Sequence, residues 1–311
     1  MAALIAPAPL VLLLSFVWVA APVTTLMGSA SLVMTGQRAT TSSESAMPHF
    51  NQHFILTIGR SGSNSLVDAL NQHPNVLNYG EVLGDWNTIR RVYKRLPGAP
   101  CDEAYLHALL HNPMVARGLN SYRNVSYLRR GRPDGRKSFR RIRSIGVKEF
   151  SLNLRRKGLM DFLANRPHIK VIGLRRVDLL DRFISWQMLK ATGVVARDVA
   201  DKTKARRIRL DPESLMEDLS SVQQENQELA AILSTLPPDQ KLQISYDAFY
   251  GSPEQTEAIL QDTYRFLDLP SYSPILRMRK ILEGSPLDRI ENIDECRSLV
   301  QGTPFAPLFE A

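Results

Sequence analysis

The run Phe54-Ile55-Leu56-Thr57-Ile58-Gly59-Arg60-Ser61-Gly62-Ser63-Asn64-Ser65-Leu66 places two glycines, an arginine and three serines between an apolar β-forming stretch and a helix start. Gly59 and Gly62 permit a tight bend. Ser61, Ser63 and Ser65 add hydroxyls beside the unpaired N–H groups that open a helix. Such a bend binds phosphate, and Arg60 adds a fixed charge. A Walker-type loop ends in Lys followed by Ser or Thr, whereas Ser63-Asn64-Ser65 stands here, which argues against magnesium-nucleotide turnover. A serine-rich turn that only caps a helix is the competing reading of the same residues.

Three further side chains have the chemistry to act beside such a bend. Glu81 follows the apolar run 76–79 and should face the same end of a parallel sheet, where a carboxylate can take a proton from a hydroxyl. Lys148, in Gly146-Val147-Lys148-Glu149-Phe150, can stabilise a leaving oxygen, bind substrate or pair with a neighbouring acid. His73, in Gln72-His73-Pro74, is a rival base, although its place at a helix end also suits closing the turn by hydrogen bonding.

The elements that must position these residues follow from hydrophobic period. Short β-forming runs predict strands over 53–58, 76–79, 145–148, 170–174 and 242–245. Helical spacing predicts helices over 63–71, 179–190, 212–235 and 253–267. Alternating strand and helix implies an α/β fold of three layers, a mainly parallel central sheet flanked by helices, with ligands beyond the carboxyl ends of the strands. The stretch 85–128 yields no derivable fold and reads as variable loops suited to an acceptor pocket.

At 311 residues, with 23% charged and 44% apolar residues, the chain has the composition of a folded protein rather than a disordered one. A net charge of +8 favours an anionic partner, whether phosphate-bearing cofactor, acidic glycan, nucleic acid or membrane surface. Eight basic residues and one acid lie between Arg129 and Arg143, broken by Gly131, Pro133 and Gly135, and read as a mobile basic loop able to meet an acidic acceptor or a lipid surface. It lacks the interleaved aromatics that stack bases, so nucleic acid is disfavoured. Cys101 and Cys296 allow at most one bridge and have no zinc-type spacing.

No Asp, Glu, Lys or Arg occurs before Gln37, and residues 4–23 are apolar except for Ser15. Residues 1–46 therefore read as an apolar signal or anchor, or an extension, followed by a Ser/Thr linker, and residues 47–311 as the working domain. The anchor implies a membrane or secretory location. A start at Met47 implies a cytoplasmic one. The triplet Asn124-Val125-Ser126 is a glycosylation sequon that only a secretory lumen would use.

Several blocks together resemble a known family. Arg60-Ser61-Gly62-Ser63 with Leu66 and Asn71-Gln72-His73-Pro74-Asn75-Val76 looks like the 5′-phosphosulfate loop of sulfotransferases that use 3′-phosphoadenosine 5′-phosphosulfate (PAPS), in the style of the carbohydrate and bacterial-type members. The run 171–176, ending in Arg175-Arg176, followed by 179–186 with Ser185, is similar to the family's 3′-phosphate motif. The segments 244–249, 266–270 and 290–305 also have the family's look, so the resemblance spans almost all of residues 50–310.

The resemblance implies a P-loop-like sulfotransferase fold and transfer of a sulfuryl group from PAPS, without a metal, to a hydroxyl of a carbohydrate, lipid or small metabolite. It implies that Arg60, Ser61, Gly62, Ser63, Asn64 and Ser65 hold the 5′-phosphate, that Arg175 or Arg176 with Ser185 holds the 3′-phosphate, and that Glu81 is the base. Asp247 replaces the more usual Glu, and the interval from Arg176 to Ser185 is nine positions where many relatives have one fewer. A basic polyanion-binding protein and a degenerate P-loop kinase are the alternatives.

Overall fold

Apolar, β-branched runs that are buried on both faces make parallel strands, and such runs form the centre of a five-stranded sheet whose edge strand, 241–245, is more polar. In the computed structural model, which describes residues 50–95, 101–131, 135–193, 207–277 and 284–310, the strands are β1 (Asn51–Thr57), β2 (Val76–Asn78), β3 (Ser144–Phe150), β4 (Lys170–Arg175) and β5 (Lys241–Ser245). They pair in the order β2-β3-β1-β4-β5, every pair parallel. Strand β1, which leads into the glycine- and serine-rich bend, is thus central. Its carboxyl end is flanked by those of β3 and β4.

The described helices are α1 (Ser63–Gln72), α2 (Thr88–Tyr93), α3 (Asp102–His111), α4 (Pro113–Arg129), α5 (Ser151–Arg156), α6 (Leu179–Thr192), α7 (Leu215–Thr235), α8 (Tyr246–Phe249), α9 (Pro253–Phe266) and α10 (Ile293–Val300). Alternation along the strands sends successive side chains to opposite faces. Phe54, Leu56, Val147 and Val171 meet Leu106, Leu109, Leu229 and Leu233 on one face. Ile55, Ile172 and Leu174 meet Leu66, Leu70, Leu260 and Tyr264 on the other. Gly173 lets α7 approach β4, since a Cβ there would lie 2.6 Å from Leu233 Cδ1. The expected three-layer parallel α/β architecture is the one observed.

His53 ties the sheet together through a polar network. Asn78 Nδ2 donates to its Nε2 at 3.0 Å, so the proton sits on Nδ1, which donates to Ser144 Oγ at 2.7 Å. Full burial, and then the charge of Lys137, push this imidazole down to about 3.

The region 85–128 departs from the loop reading, because α2, α3 and most of α4 occupy it. Asn87 caps α2 by accepting from Arg90 N–H at 3.0 Å, and Asn112 caps α4 by accepting from the N–H groups of Met114 and Val115. The Arg90 guanidinium, itself buried, joins α2 to α3 through Asp102 at 2.9 Å.

Within the basic run, one cation is tied into the fold. Lys137 is buried, with Nζ donating to the carbonyls of His73, at 2.8 Å, and Val76. Its backbone holds the sequon in turn: Asn124 Nδ2 donates to Lys137 O at 2.8 Å while Lys137 N–H donates to Asn124 Oδ1 at 2.9 Å. Both ends of the Asn124 amide are thus engaged by the Lys137 backbone.

Cys101 is exposed and Cys296 buried, both as free thiols. The expected anchor at residues 4–23 lies outside the described residues, among which no helix is long and apolar enough to cross a membrane.

Candidate active site

At the carboxyl end of β1 the chain turns through Ile58 to Gly62 into α1. Arg60 has φ 64° and Gly62 φ 75°, two left-handed positions separated by Ser61. A side chain tolerates that region poorly, so Arg60 stores strain of the kind found at binding loops. Gly62 is required outright, because a Cβ would lie 2.5 Å from the Tyr250 ring.

The hydroxyls divide the work. Ser61 Oγ donates to Ile58 O at 2.8 Å and lies 2.5 Å from Thr57 Oγ1, which donates to Leu174 O at 2.9 Å. Ser61 and Thr57 therefore hold the bend in shape and tie it to β4. Ser63, Asn64 and Ser65 open α1 and line the cleft, where first-turn N–H groups lack intrahelical acceptors.

Two buried arginines grip the bend from outside. Arg176 Nη1 donates to Arg60 O at 2.7 Å and its Nη2 pairs with Asp181, while its guanidinium carbon stacks 4.0 Å from the Tyr246 ring centroid. Arg182 Nε donates to Gly59 O at 3.0 Å, Nη1 to Val222 O at 2.7 Å, and Nη2 pairs with Glu225. Asp178 caps α6 and brings Ser185 round to the cleft, where it accepts from Arg60 Nε at 3.1 Å. Burial, and then the charge of Arg176, lower the affinity of Arg60 for its proton. A bound anion would relieve that crowding of cations.

Glu81 stands across the cleft on the segment after β2, its carboxylate paired with Lys148 Nζ from β3. Lys148 is buried, and its Nζ lies 4.2 Å from the Phe150 ring centroid. Burial pulls its pKa below the ordinary lysine value, against the opposing pull of Glu81. Glu149 points the other way and accepts from Val82 and Leu83 N–H, both at 2.5 Å, and from Asn153 Nδ2 at 2.8 Å. This anchors the segment that carries Glu81. Burial raises the Glu149 pKa.

Arg60, Ser61, Gly62, Ser63, Asn64, Ser65, Glu81, Lys148, Arg176 and Ser185 thus line one cavity of about 410 Å³, together with Arg182, Trp186, Tyr246 and Tyr250. That volume is within the range of small-molecule sites. Two expected residues fall elsewhere. His73 is a correction: its Nε2 bonds Pro270 O at 3.0 Å, its Nδ1 accepts from Asn75 N–H at 3.0 Å, and its ring lies between Tyr264 and Tyr272, so it closes the helix end outside the cleft. Arg175 reaches sideways towards Gln243 of β5, at 3.4 Å, and the cleft arginine is Arg176.

Sequence reasoning missed Arg182, Tyr246 and Tyr250 as cleft residues and Glu149 as an anchor. Arg182 had a signal, since it lies three positions before Ser185 on the same helix face. Trp186 is half-buried at the cleft with Lys190 Nζ 3.5 Å from its ring centroid.

No protein-family model matches the chain, and no curated protein matches it. Among solved structures it is similar to a sulfotransferase from Alicyclobacillus acidocaldarius, with 18% identity, 84% of this chain and 92% of that one covered, and a TM-score of 0.42. It is also similar to the sulfotransferase domain of the Synechococcus PCC 7002 olefin synthase, with 16% identity, coverage of 76% and 78%, and a TM-score of 0.37. A third similar structure is the sulfotransferase domain from the curacin biosynthetic pathway, with 19% identity, coverage of 77% and 79%, and a TM-score of 0.39. Likenesses at these TM-scores decide nothing about this chain, and its chemistry has to be read from the cleft.

Proposed function

We propose that the protein is a sulfotransferase that moves a sulfuryl group from PAPS to a hydroxyl of a carbohydrate, lipid or small metabolite. The observation that carries this reading is the convergence, in one cleft, of a lysine-free phosphate bend, Arg176 with Ser185, and the Glu81–Lys148 pair. The first two supply separate anion-binding points on a nucleotide. The pair supplies a carboxylate and an ammonium where the transfer would occur.

In the reaction, the acceptor oxygen forms a bond to sulfur as the bond from sulfur to the 5′-phosphate oxygen breaks. Glu81 takes the proton of the attacking hydroxyl, and Lys148 and the α1 N–H groups stabilise the charge that builds on the leaving phosphate oxygen. Alignment of the two partners supplies much of the remaining rate.

The test is incubation with labelled PAPS and a panel of glycan, lipid and phenolic acceptors, beside calorimetry with 3′,5′-adenosine bisphosphate. Glu81→Gln should lower kcat by about 10²-fold or more with nucleotide affinity retained. Arg60→Ala should weaken the nucleotide itself. Absence of bisphosphate binding at millimolar concentration, or magnesium-dependent ATP turnover in its place, overturns the proposal.

A further inference from the structure

Helix α4 leaves an unusual face open. Met114, Tyr122, Val125 and Leu128 are 52%, 42%, 45% and 50% exposed, although Ala116 and Leu119 on the opposite side are buried in the core, and Val115, next to Tyr122 round the helix, is buried too. At 3.6 residues per turn, Met114, Ser121, Val125 and Leu128 fall in one arc of about 60°, with Arg117 and Arg129 on its two flanks and Tyr122 beside Arg129. No Asp or Glu occurs on this helix. The chain leaving it adds exposed cations at Arg130, Arg136 and Arg140.

An exposed apolar stripe bordered by arginines is the pattern of a helix that lies in a membrane interface, the apolar residues entering the acyl boundary and the cations meeting anionic headgroups. A nucleic acid or acidic glycan would use the arginines and leave Met114, Val125 and Leu128 without a role. The described chain enters the fold at Phe50, which is buried with Ala116 of α4 and Ile142 and lies 5.5 Å, ring centroid to centroid, from Phe139 of the basic run.

We propose that α4, with Arg130, Arg136 and Arg140 after it, docks flat on an anionic lipid surface. The face lies by the amino ends of β1 and β3, whereas the candidate active site opens at their carboxyl ends, so docking leaves the cleft open to substrate. The inference stands apart from the reaction proposed above and does not depend on it.

The full chain, with exposed Cys101 replaced (Cys101→Ser) and Leu128→Cys carrying an environment-sensitive fluorophore, is reconstituted into vesicles. One set is phosphatidylcholine alone, and the other contains about 30 mol % phosphatidylserine. The label should shift to the blue and brighten only in the anionic vesicles, and high salt should weaken the effect. Arg117→Gln, Arg129→Gln and Arg130→Gln together should lower the docking constant by about 100-fold, at roughly fivefold for each cation.

A label at Leu299→Cys, an exposed position on α10, should stay unshifted. Equal emission in both lipid mixtures, or an equal shift at positions 128 and 299, overturns the proposal. So does a lipid-free shift that grows with protein concentration, the mark of a second copy covering the face, or one that heparin or DNA produces without vesicles.

Discussion

Among single residues, Lys137 shows how far a side chain can depart from what its neighbours in sequence suggest. It sits in a run of arginines, yet its Nζ is buried between two carbonyl oxygens, those of His73 and Val76. A neutral amine has two hydrogens, and the site offers two acceptors. Burial, and then the charge of Arg123, push its pKa down to about 6. The unfolded chain protonates this group below its ordinary value of about 10.5, while the folded chain resists until about 6. Between those values the unfolded state binds more protons, so stability rises with pH across that window and the full penalty is present below it. Urea unfolding of the wild type from pH 6 to pH 9 should show a rising midpoint, and Lys137→Met should flatten the rise. An unchanged slope would place the ammonium, not the amine, in the folded protein.

The elements explain which parts of this arrangement were legible. The strand, bend and helix from β1 to α1 could be read because period, glycines and serines all agree there, and the structure keeps them within a residue or two of expectation. The helices between 85 and 128 could not be read. Helix α2 is only six residues long, and α4 carries apolar residues on both its buried and its exposed sides, so no single-sided stripe emerges. Arg175 and Arg176 could not be told apart because the choice is made by Asp181 and Tyr246, contacts across a turn and across the sheet that adjacency in sequence does not encode. His73 is a chemically able base that the fold spends on closing a helix.

The bend also makes a sharp demand at Gly62, which combines φ 75° with the Tyr250 ring pressed against its Cα. Gly62→Ala should cost about 1–2 kcal/mol from the dihedral alone, with the clash added. It should also weaken bisphosphate binding, because relief requires the bend to move. Thermal melting beside calorimetry measures both, and a variant of normal affinity would show that the bend does not shape the anion site.

At the scale of the whole molecule, the cleft is assembled from two bodies of packing. The sheet and its flanking helices fix the bend, Glu81 and Lys148, whereas Arg182 and Ser185 belong to α6, whose apolar residues Leu180, Phe183, Ile184 and Met188 pack in a separate cluster. That cluster is completed by Leu215, Leu219 and Val222 of α7 and by Ile290, Cys296, Val300, Phe305 and Phe309 from the end of the chain. Arg297 Nε, donating to Phe309 O at 3.0 Å, pins the last turn in place.

The C-terminal segment therefore supports the cleft from behind, without lining it. Phe309→Ala removes a fully buried ring and should lower stability by about 3 kcal/mol or more in denaturant unfolding. Because α6 then loses part of its backing, affinity for 3′,5′-adenosine bisphosphate should fall as well, while Leu106→Ala, in the separate cluster under the sheet, should cost similar stability with affinity retained. If both variants lose stability and neither loses affinity, α6 is held by its contacts to the bend, through Arg182 and Gly59, and the terminal cluster serves the fold alone.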